Sequence, residues 1–311
     1  MGEVMAKLNS RQAALSRRTI SGVLILLGVL LLWRYLAPRF SGDIAVSGVA
    51  FALGGVAVYW YGLIIALAIL IGYELIVRPA LERQKIDENK FSTYVLLLVL
   101  CSLLGARLGF IFQNLSYYGE HGREILALWY GGLSIHGAIA AGVLWTWFYA
   151  KRLKLDLLAV LDIISPAIAF GLIMGRFGNF FNQELIGRPA DVPWKMYVSP
   201  DLRPPALASS EFFHPAFLYE SILDMVVLIV LLQLARRQPR AGFVFFAFLG
   251  LYSVARFIVE FFRYSDRTMI AGLSLAQIVS IVLLAASVVF FALLRQRVPR
   301  PAKPKLVHKI S

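Results

Sequence analysis

The chain has 311 residues, of which 59% are hydrophobic and only 16% are charged, and its formal net charge is +13. This composition, with a mean hydropathy of +0.72, excludes an ordinary soluble domain and indicates a polytopic membrane protein.

Eight apolar stretches are long enough to cross the bilayer as helices. They are 19–37, 58–77, 91–113, 128–150, 157–178, 213–235, 242–263 and 272–294. Lipid offers no partners to backbone polar groups, and the sequence lacks the alternating pattern of a membrane barrel. The predicted fold class is therefore an all-α polytopic membrane protein.

Basic residues are concentrated in alternate loops. The clusters precede the first span and follow the second, fourth, sixth and eighth spans: Lys7, Arg11, Arg17 and Arg18; Arg78, Arg83, Lys85 and Lys90; Lys151, Arg152 and Lys154; Arg236, Arg237 and Arg240; Arg295, Arg297, Arg300, Lys303, Lys305 and Lys309. The positive-inside rule then predicts that both termini are cytoplasmic. Because topology explains the charge, no nucleic-acid partner is predicted.

The first span has an alternative interpretation as a cleaved signal peptide. Basic residues precede ISGVLILLGVLLLW, but only RYLAPRF follows, without a small-residue cleavage site. A retained helix is therefore favoured. The topology of the other seven spans is the same in both cases.

Cofactor motifs are missing from the sequence. The four histidines show no metal-ligand spacing, the single Cys101 cannot form an intramolecular disulfide, and HExxH, CxxC, GxSxG and phosphate-binding GxxxxGK[ST] patterns do not occur. No metal or other cofactor is predicted.

Polar residues converge on the outer ends of the spans in this topology. Tyr61 begins the second span, Arg107 lies in the outer half of the third, and His136 lies near the outer start of the fourth. The fifth span ends outside at 175–187, GRFGNFFNQELIG, and the seventh ends outside after YSVARFIVEFFR.

Two of these spans carry polar residues at helical spacing, which predicts one stripe on each helix. The stripes are Arg176, Asn179 and Asn182, and Tyr252, Arg256, Glu260 and Arg263. Charges in a span cost about 2.5–3.5 kcal/mol each at the helix centre, so these side chains are expected to face one another. A structural ion pair of Arg256 with Glu260, or polar contacts that hold helices together, is the alternative.

The polar residues at the outer ends of the spans include three arginines for two carboxylates, which favours an anionic ligand. A guanidinium group matches phosphate oxygens with two parallel hydrogen bonds. At the depth of the outer leaflet, a phospholipid is the expected phosphate-bearing ligand.

Four motifs, GGLSIHG, GRFGNFFNQELIGRP, HPAFLYE and ARFIVEFFR, resemble those of the prolipoprotein diacylglyceryl transferase family. The resemblance covers about residues 45–295 and implies a seven-helix transmembrane core plus one extra N-terminal transmembrane helix. The expected division is a cytoplasmic segment with the extra helix (1–42), a transferase core (43–296) with an outer-face loop (179–212), and a basic cytoplasmic tail (297–311). Ala216 and Phe217 depart from the family, which more often has a small hydroxyl residue and a glutamine there.

The resemblance implies a reaction without a cofactor. The diacylglyceryl group of phosphatidylglycerol would pass to the lipobox cysteine thiol of a prolipoprotein signal peptide, at the outer leaflet of the bacterial inner membrane, with release of glycerol phosphate. His136 would be the base, unless it is a packing residue and another group takes the proton. Arg176 and Arg256 would bind the phosphate, oriented by Glu260 and Glu184. The remaining substrate-binding candidates are Tyr61, Arg107, Asn179, Asn182 and Gly187.

A transporter or flippase of an anionic phospholipid is the alternative function. Asp162 and Asp224 favour it because they lie deeper in their spans, whereas the lack of an internal repeat opposes it. A purely structural membrane scaffold would have to use the whole polar set for helix packing.

Overall fold

The computed structural model describes residues 27–28, 30–127, 131–237, 239–264, 269–270 and 272–296. The helices of these residues are α1 (30–40), α2 (Trp60–Gln84), α3 (Glu88–Gln113), α4 (Leu115–Glu120), α5 (Ile135–Leu153), α6 (Leu157–Asn182), α7 (Ala216–Arg236), α8 (Phe243–Val259) and α9 (Leu275–Gln296).

Five of these described helices, α2, α3, α6, α7 and α9, are long and apolar enough to cross a membrane. Helices α5 and α8 overlap the predicted spans 128–150 and 242–263. A helical membrane protein is thus confirmed. The first predicted span, 19–37, begins outside the described residues, so the count of eight spans stays a prediction.

The chain divides into two compact units. Among the described residues, the helical unit takes those within Leu63–Arg176, Glu220–Glu260 and Arg267–Ser311, and the hairpin unit takes those within Met1–Gly62, Phe177–Tyr219 and Phe261–Asp266. Each unit is assembled from segments that are far apart in the sequence.

Two apolar clusters form the core of the helical unit. The first joins α2, α3, α5 and α6, and within it the Tyr94 hydroxyl lies 2.9 Å from Oγ1 of Thr146. The second joins α6, α7 and α8 around Ile173, Leu231 and Val244. Burying these side chains against other helices leaves their opposite, largely apolar faces exposed, as expected for helices surrounded by lipid.

Helix α2 runs past the predicted end of its span. A π-helical turn at Tyr73–Val77 precedes Pro79, and the helix continues to Gln84. Proline has no N–H group and its ring clashes with a regular preceding turn, so a widened turn accommodates it without ending the helix. The helix therefore extends beyond the predicted span, 58–77, at this end.

Two equivalent turns connect helices of the helical unit. Lys85 after α2 and Lys154 after α5 both adopt left-handed backbone conformations, with φ of 54° and 55°. The following residue, Ile86 or Leu155, donates its N–H to a carbonyl one turn back, which is the Schellman arrangement. The next helix starts immediately afterwards, so both connections are short.

The hairpin unit contains strands that the sequence analysis did not predict. Strands β1 (Val49–Leu53) and β2 (Val56–Tyr59) pair antiparallel through Gly54 and Gly55, whose φ angles of 56° and 83° suit a type I′ turn. Strands β3 (Met196–Tyr197) and β4 (Phe212–Phe213) form a second pair. The run VAFALGGVAVY is a hairpin signal, but its continuous apolar character was also compatible with the start of a span.

An aromatic cluster forms the core of the hairpin unit. The ring centroid of Phe217 lies 4.9 Å from that of Phe180, and Phe40 packs against both rings. Phe217 is one of the two departures from the family motif. The residue is 5% exposed and its ring fills this core, so its apolar character has a structural reason.

Candidate functional site

Glu220 lies beside two arginines in the helical unit. Its Oε1 atom lies 2.7 Å from Nη2 of Arg176 and 3.9 Å from Nε of Arg256. Nη2 of Arg256 in turn lies 2.7 Å from Oε2 of Glu260, one helical turn further along the chain. Helices α6, α7 and α8 supply three of these charges, Glu260 caps the C-terminus of α8, and we call these four residues the ion cluster.

The charges of the ion cluster are balanced and buried. The Glu220 side chain is 3% exposed and each arginine side chain is 14% exposed. Asp224, one turn after Glu220 on α7, is a further carboxyl group at 1% exposure. The excess of positive charge expected from the sequence does not occur in this cluster, where two arginines face two glutamates.

Sequence reasoning missed Glu220. The residue closes the motif HPAFLYE, and an acid near the outer end of a span that faces arginines was its available signal. Another expectation was wrong at Arg263. Helix α8 ends at Val259, so Arg263 does not continue the stripe of Arg256 and Glu260.

Arg107 is occupied by backbone carbonyl groups. Its Nη1 donates to Gly131 O at 2.8 Å and Gly132 O at 3.0 Å, while Nε and Nη2 donate to Ile125 O and Glu124 O at 2.8 and 2.5 Å. The residue is 6% exposed. These hydrogen bonds hold the residues that precede α5 in place. They indicate that Arg107 positions this backbone, rather than binding a ligand.

His136 is the second residue of α5, and helix α3 fixes the start of that helix. The Ser134 N–H donates to Ala106 O at 2.9 Å, and Gln113 Nε2 donates to Oγ of Ser134 at 2.8 Å. His136 itself is exposed, and its ring makes no hydrogen bond with the part of the chain that the structure describes.

Glycines bring α3 and α5 into backbone contact next to His136. A Cβ atom on Gly137 would overlap the carbonyl oxygen of Gly105 and approach Cα of Gly109 to 3.1 Å. Gly105 and Gly109 are four residues apart, and this GxxxG pattern of small residues lets membrane helices approach closely. The position of His136 therefore depends on residues of the GARLG segment of α3.

Tyr61, Asn179, Asn182, Glu184 and Gly187 belong to the hairpin unit. Oε1 of Glu184 accepts the Nδ2 amide groups of Asn179 at 2.7 Å and Asn182 at 3.4 Å. The Tyr61 ring lies against Gly178, where a Cβ atom would overlap it. The carboxylate thus orients two amides of the GRFGNFFNQELIG segment.

Gly187 lies where the chain has no room for a side chain. Its N–H donates to His214 O at 3.2 Å, and a Cβ atom on it would overlap that carbonyl. On the other side it forms a bridge with Arg263, and Arg188 N–H donates to Phe262 O at 2.8 Å. The segment LIGRP therefore joins residues 212–214 to residues 262–264 within the hairpin unit.

The hairpin unit also contains a row of hydrogen-bonding side chains that were not predicted as site residues from the sequence. Nδ1 of His214 lies 3.0 Å from the Tyr219 hydroxyl, which accepts the indole N–H of Trp194 at 2.7 Å. His214 and Tyr219 both come from HPAFLYE. Their spacing of five residues gave no sign of this contact, because His214 precedes the helix.

Asp162 does not behave as a residue of a transport pathway. Its carboxylate accepts the backbone N–H groups of Gly242 at 2.8 Å and Phe245 at 2.7 Å. These groups begin α8 and would otherwise be unsatisfied. Asp162 is therefore a cap, which removes one of the two residues that favoured a transporter.

Comparison with known proteins supplies the family. A family model described as prolipoprotein diacylglyceryl transferase matches residues 48–293. Proteins named phosphatidylglycerol–prolipoprotein diacylglyceryl transferase are similar: that of Trichormus variabilis is 39% identical over 74% of this chain and 83% of its own length. Those of Synechococcus elongatus and Thermotoga maritima are each 37% identical, over 82% and 85% of this chain and 90% of their own lengths.

Proposed function

The chain belongs to the prolipoprotein diacylglyceryl transferase family and is a multi-pass membrane transferase, and from this premise we propose its reaction and the roles of its residues. The donor is phosphatidylglycerol, and the acceptor is the lipobox cysteine of a prolipoprotein signal peptide. Transfer takes place at the outer leaflet of the inner membrane, and both termini are cytoplasmic.

In the proposed reaction, the cysteine sulfur forms a bond to the carbon of the diacylglyceryl group that carries the phosphate. The bond between that carbon and the phosphate oxygen breaks, and its electron pair leaves with glycerol phosphate. The thiol proton passes to a base. A free thiol has a pKa of about 8.5, so only a few per cent is ionised at neutral pH and a base speeds the attack.

Arg176 and Arg256 are proposed to stabilise the leaving phosphate. The observation that supports this role is their convergence on Glu220, with side chains that keep only 14% exposure. Guanidinium groups already oriented in a site of low dielectric stabilise charge as it develops, and loss of one such donor typically costs about 10²–10³ in rate. Glu220 and Glu260 hold the two groups in place.

His136 is proposed as the base. The ring is exposed at the start of α5, while the surrounding backbone is fixed by α3 through Ser134 and Gly137. Fixed backbone with an exposed imidazole suits proton transfer, which typically contributes about 10²–10⁴ in rate. Arg107 is proposed to act through this backbone rather than on the substrate.

The polar residues of the hairpin unit are proposed to bind the substrates. Asn179 and Asn182 would present amide groups to the glycerol head group while Glu184 orients them, and Tyr61 and Gly187 would shape the same pocket. The hydrogen bonds from both amides to Glu184 support this assignment. Amide and carboxylate groups in this arrangement suit a ligand rich in hydroxyl groups.

The test combines the purified chain with phosphatidylglycerol and a lipobox peptide. The mass of the peptide is followed over time, together with the release of glycerol phosphate. A gain of one diacylglyceryl group with equal release of glycerol phosphate is expected. Movement of the lipid between leaflets without modification of the peptide would instead favour the transporter.

A further inference from the structure

A cavity of about 430 Å³ lies in the helical unit, away from the ion cluster. It is bordered by the C-terminal ends of α2 and α7, by α6 near Asp162 and by the start of α8. Asp162 and Arg176 are 14 residues apart on α6, which corresponds to roughly 21 Å along the helix. The cavity is within the size range of small-molecule sites, and the proposed transfer does not use it.

Two cations border this cavity. Arg83 and Lys85 line it at the end of α2, and neither forms an ion pair with any residue in the described ranges of the chain. Arg78, earlier on the same helix, differs because it contacts several carboxylates: Glu74, Glu82 and Glu88. The positive charge beside the cavity is therefore not compensated by the protein in the way that Arg78 is.

Asp162, the acidic residue of the lining, forms no ion pair with these cations in the part of the chain that the structure describes. Both carboxylate oxygens of Asp162 accept backbone N–H groups at the start of α8. Pro166, which also lines the cavity, has no N–H group, so the carbonyl of Asp162 lacks its usual helical donor. The cavity is thus bordered by two positive groups, and the carboxylate of Asp162 is bound at the start of α8.

Most of the remaining wall is apolar. Its larger side chains are Ile76, Ile163, Leu232 and Val244. A ligand that matches this wall has an anionic end near Arg83 and Lys85 and an apolar body. Both cations stand at the end of a membrane-spanning helix, where basic side chains meet anionic lipid head groups.

We infer that this cavity binds the phosphate head group of an anionic phospholipid, separate from the phospholipid proposed as substrate. The leaflet is the cytoplasmic one under the proposed topology. The bound lipid would bridge the end of α2 to α7 and to the start of α8. This site is independent of the transfer chemistry, because no residue of its lining belongs to the ion cluster.

The chain contains a matched control for this site. Arg83 and Lys85 end α2 in the same turn type in which Arg152 and Lys154 end α5, and both lysines have left-handed backbones. Only the first pair lines the cavity among the described residues. Replacing each pair by glutamine removes two positive charges from equivalent positions.

The experiment measures lipid retention by native mass spectrometry of the full chain, after incorporation into nanodiscs of phosphatidylcholine with a minor fraction of phosphatidic acid. A cation near an anionic lipid surface changes binding by about fivefold, so Arg83→Gln with Lys85→Gln should weaken retention of phosphatidic acid about 25-fold. Arg152→Gln with Lys154→Gln should leave it within about twofold. Arg83→Lys with Lys85→Arg keeps the charges and should retain the lipid.

Other outcomes overturn the inference. Equal retention in the wild type and the Arg83/Lys85 variant would show that the cavity does not bind the lipid, and equal loss in both glutamine pairs would indicate a general surface charge effect. Displacement by inorganic phosphate alone would indicate a free-anion site. Transfer to the lipobox peptide is measured separately, so an inactive chain that retains phosphatidic acid would refute the proposed function and leave this site standing.

Discussion

Oε1 of Glu220, on α7, lies 2.7 Å from Nη2 of Arg176, on α6. The carboxylate is almost completely buried, and the guanidinium largely so. An ion pair withdrawn from water keeps its geometry only when both charges stay, because removal of one partner leaves the other uncompensated. Glu220 is therefore a positioning residue for the arginines proposed to bind phosphate.

Replacing Glu220 by glutamine tests this role. Glu220→Gln should lower the transfer rate by about 10²–10³, because Arg176 and Arg256 lose their common anchor. Loss of a buried ion partner should also lower the free energy of unfolding by about 3–5 kcal/mol. Transfer kinetics and the Tm in detergent are measured together, and Glu220→Asp should recover part of the rate.

Glu74 provides the control, because it forms a comparable pair with Arg78 at 3.0 Å but its side chain is 55% exposed. Glu74→Gln should change the free energy of unfolding by less than about 1 kcal/mol and leave transfer intact. Similar effects of the two substitutions would contradict a special role of Glu220.

Arg256→Lys tests whether phosphate is bound by a forked group or by charge alone. The lysine keeps the positive charge but cannot make two parallel hydrogen bonds or reach Glu220 and Glu260 together. Transfer should fall strongly while the abundance of the protein in the membrane stays the same. Near-normal turnover would reduce Arg256 to a generic cation.

The sequence predicted the helices well because long apolar runs report directly on lipid contact. Positions of α3, α6, α7 and α9 agree closely with the predicted spans. It failed where local chemistry changes the backbone without interrupting the apolar run. The π-helical turn before Pro79 lets α2 continue beyond its apolar run, and the glycines at 54 and 55 allow a hairpin turn within an apolar run.

Contacts between helices were harder to predict. Spacing correctly paired Arg256 with Glu260, because Glu260 caps the helix that contains Arg256 and lies one turn after it. Glu220 reaches Arg176 from a different helix, and no periodicity within either helix contains that information. Arg107 shows the converse: its depth suggested a ligand contact, whereas four backbone carbonyls use its donors.

Gly137→Ala tests the dependence of His136 on the contact between α3 and α5. The added Cβ atom would overlap the Gly105 carbonyl, and overpacking of this kind costs about 1–3 kcal/mol. Both Tm and transfer should decrease. Gly119→Ala is the control, since a Cβ atom there meets nothing within 4 Å, and it should have little effect. Normal transfer by Gly137→Ala would show that the activity does not depend on the close contact between α3 and α5.

The topology is tested with accessibility tags. Tags at Lys154 and Arg240 should report the cytoplasm, and tags at Glu120 and Pro204 should report the opposite side, because the basic clusters alternate along the chain. Labelling of intact and permeabilised cells distinguishes the two sides. Inverted labelling of either pair would refute the leaflets proposed for the transfer site and for the cavity beside Arg83 and Lys85.

His136→Gln separates a base from a positioning residue. Glutamine keeps a hydrogen-bonding side chain of similar reach but cannot accept a proton near neutral pH, so transfer should fall by about 10²–10⁴ while binding of phosphatidylglycerol persists. Raising the pH should restore part of the rate, because more of the acceptor thiol is then already ionised and the missing base matters less. Binding and transfer are measured across pH for both proteins. Full activity of the variant at neutral pH would exclude His136 as the base, and loss of lipid binding together with activity would assign it to packing.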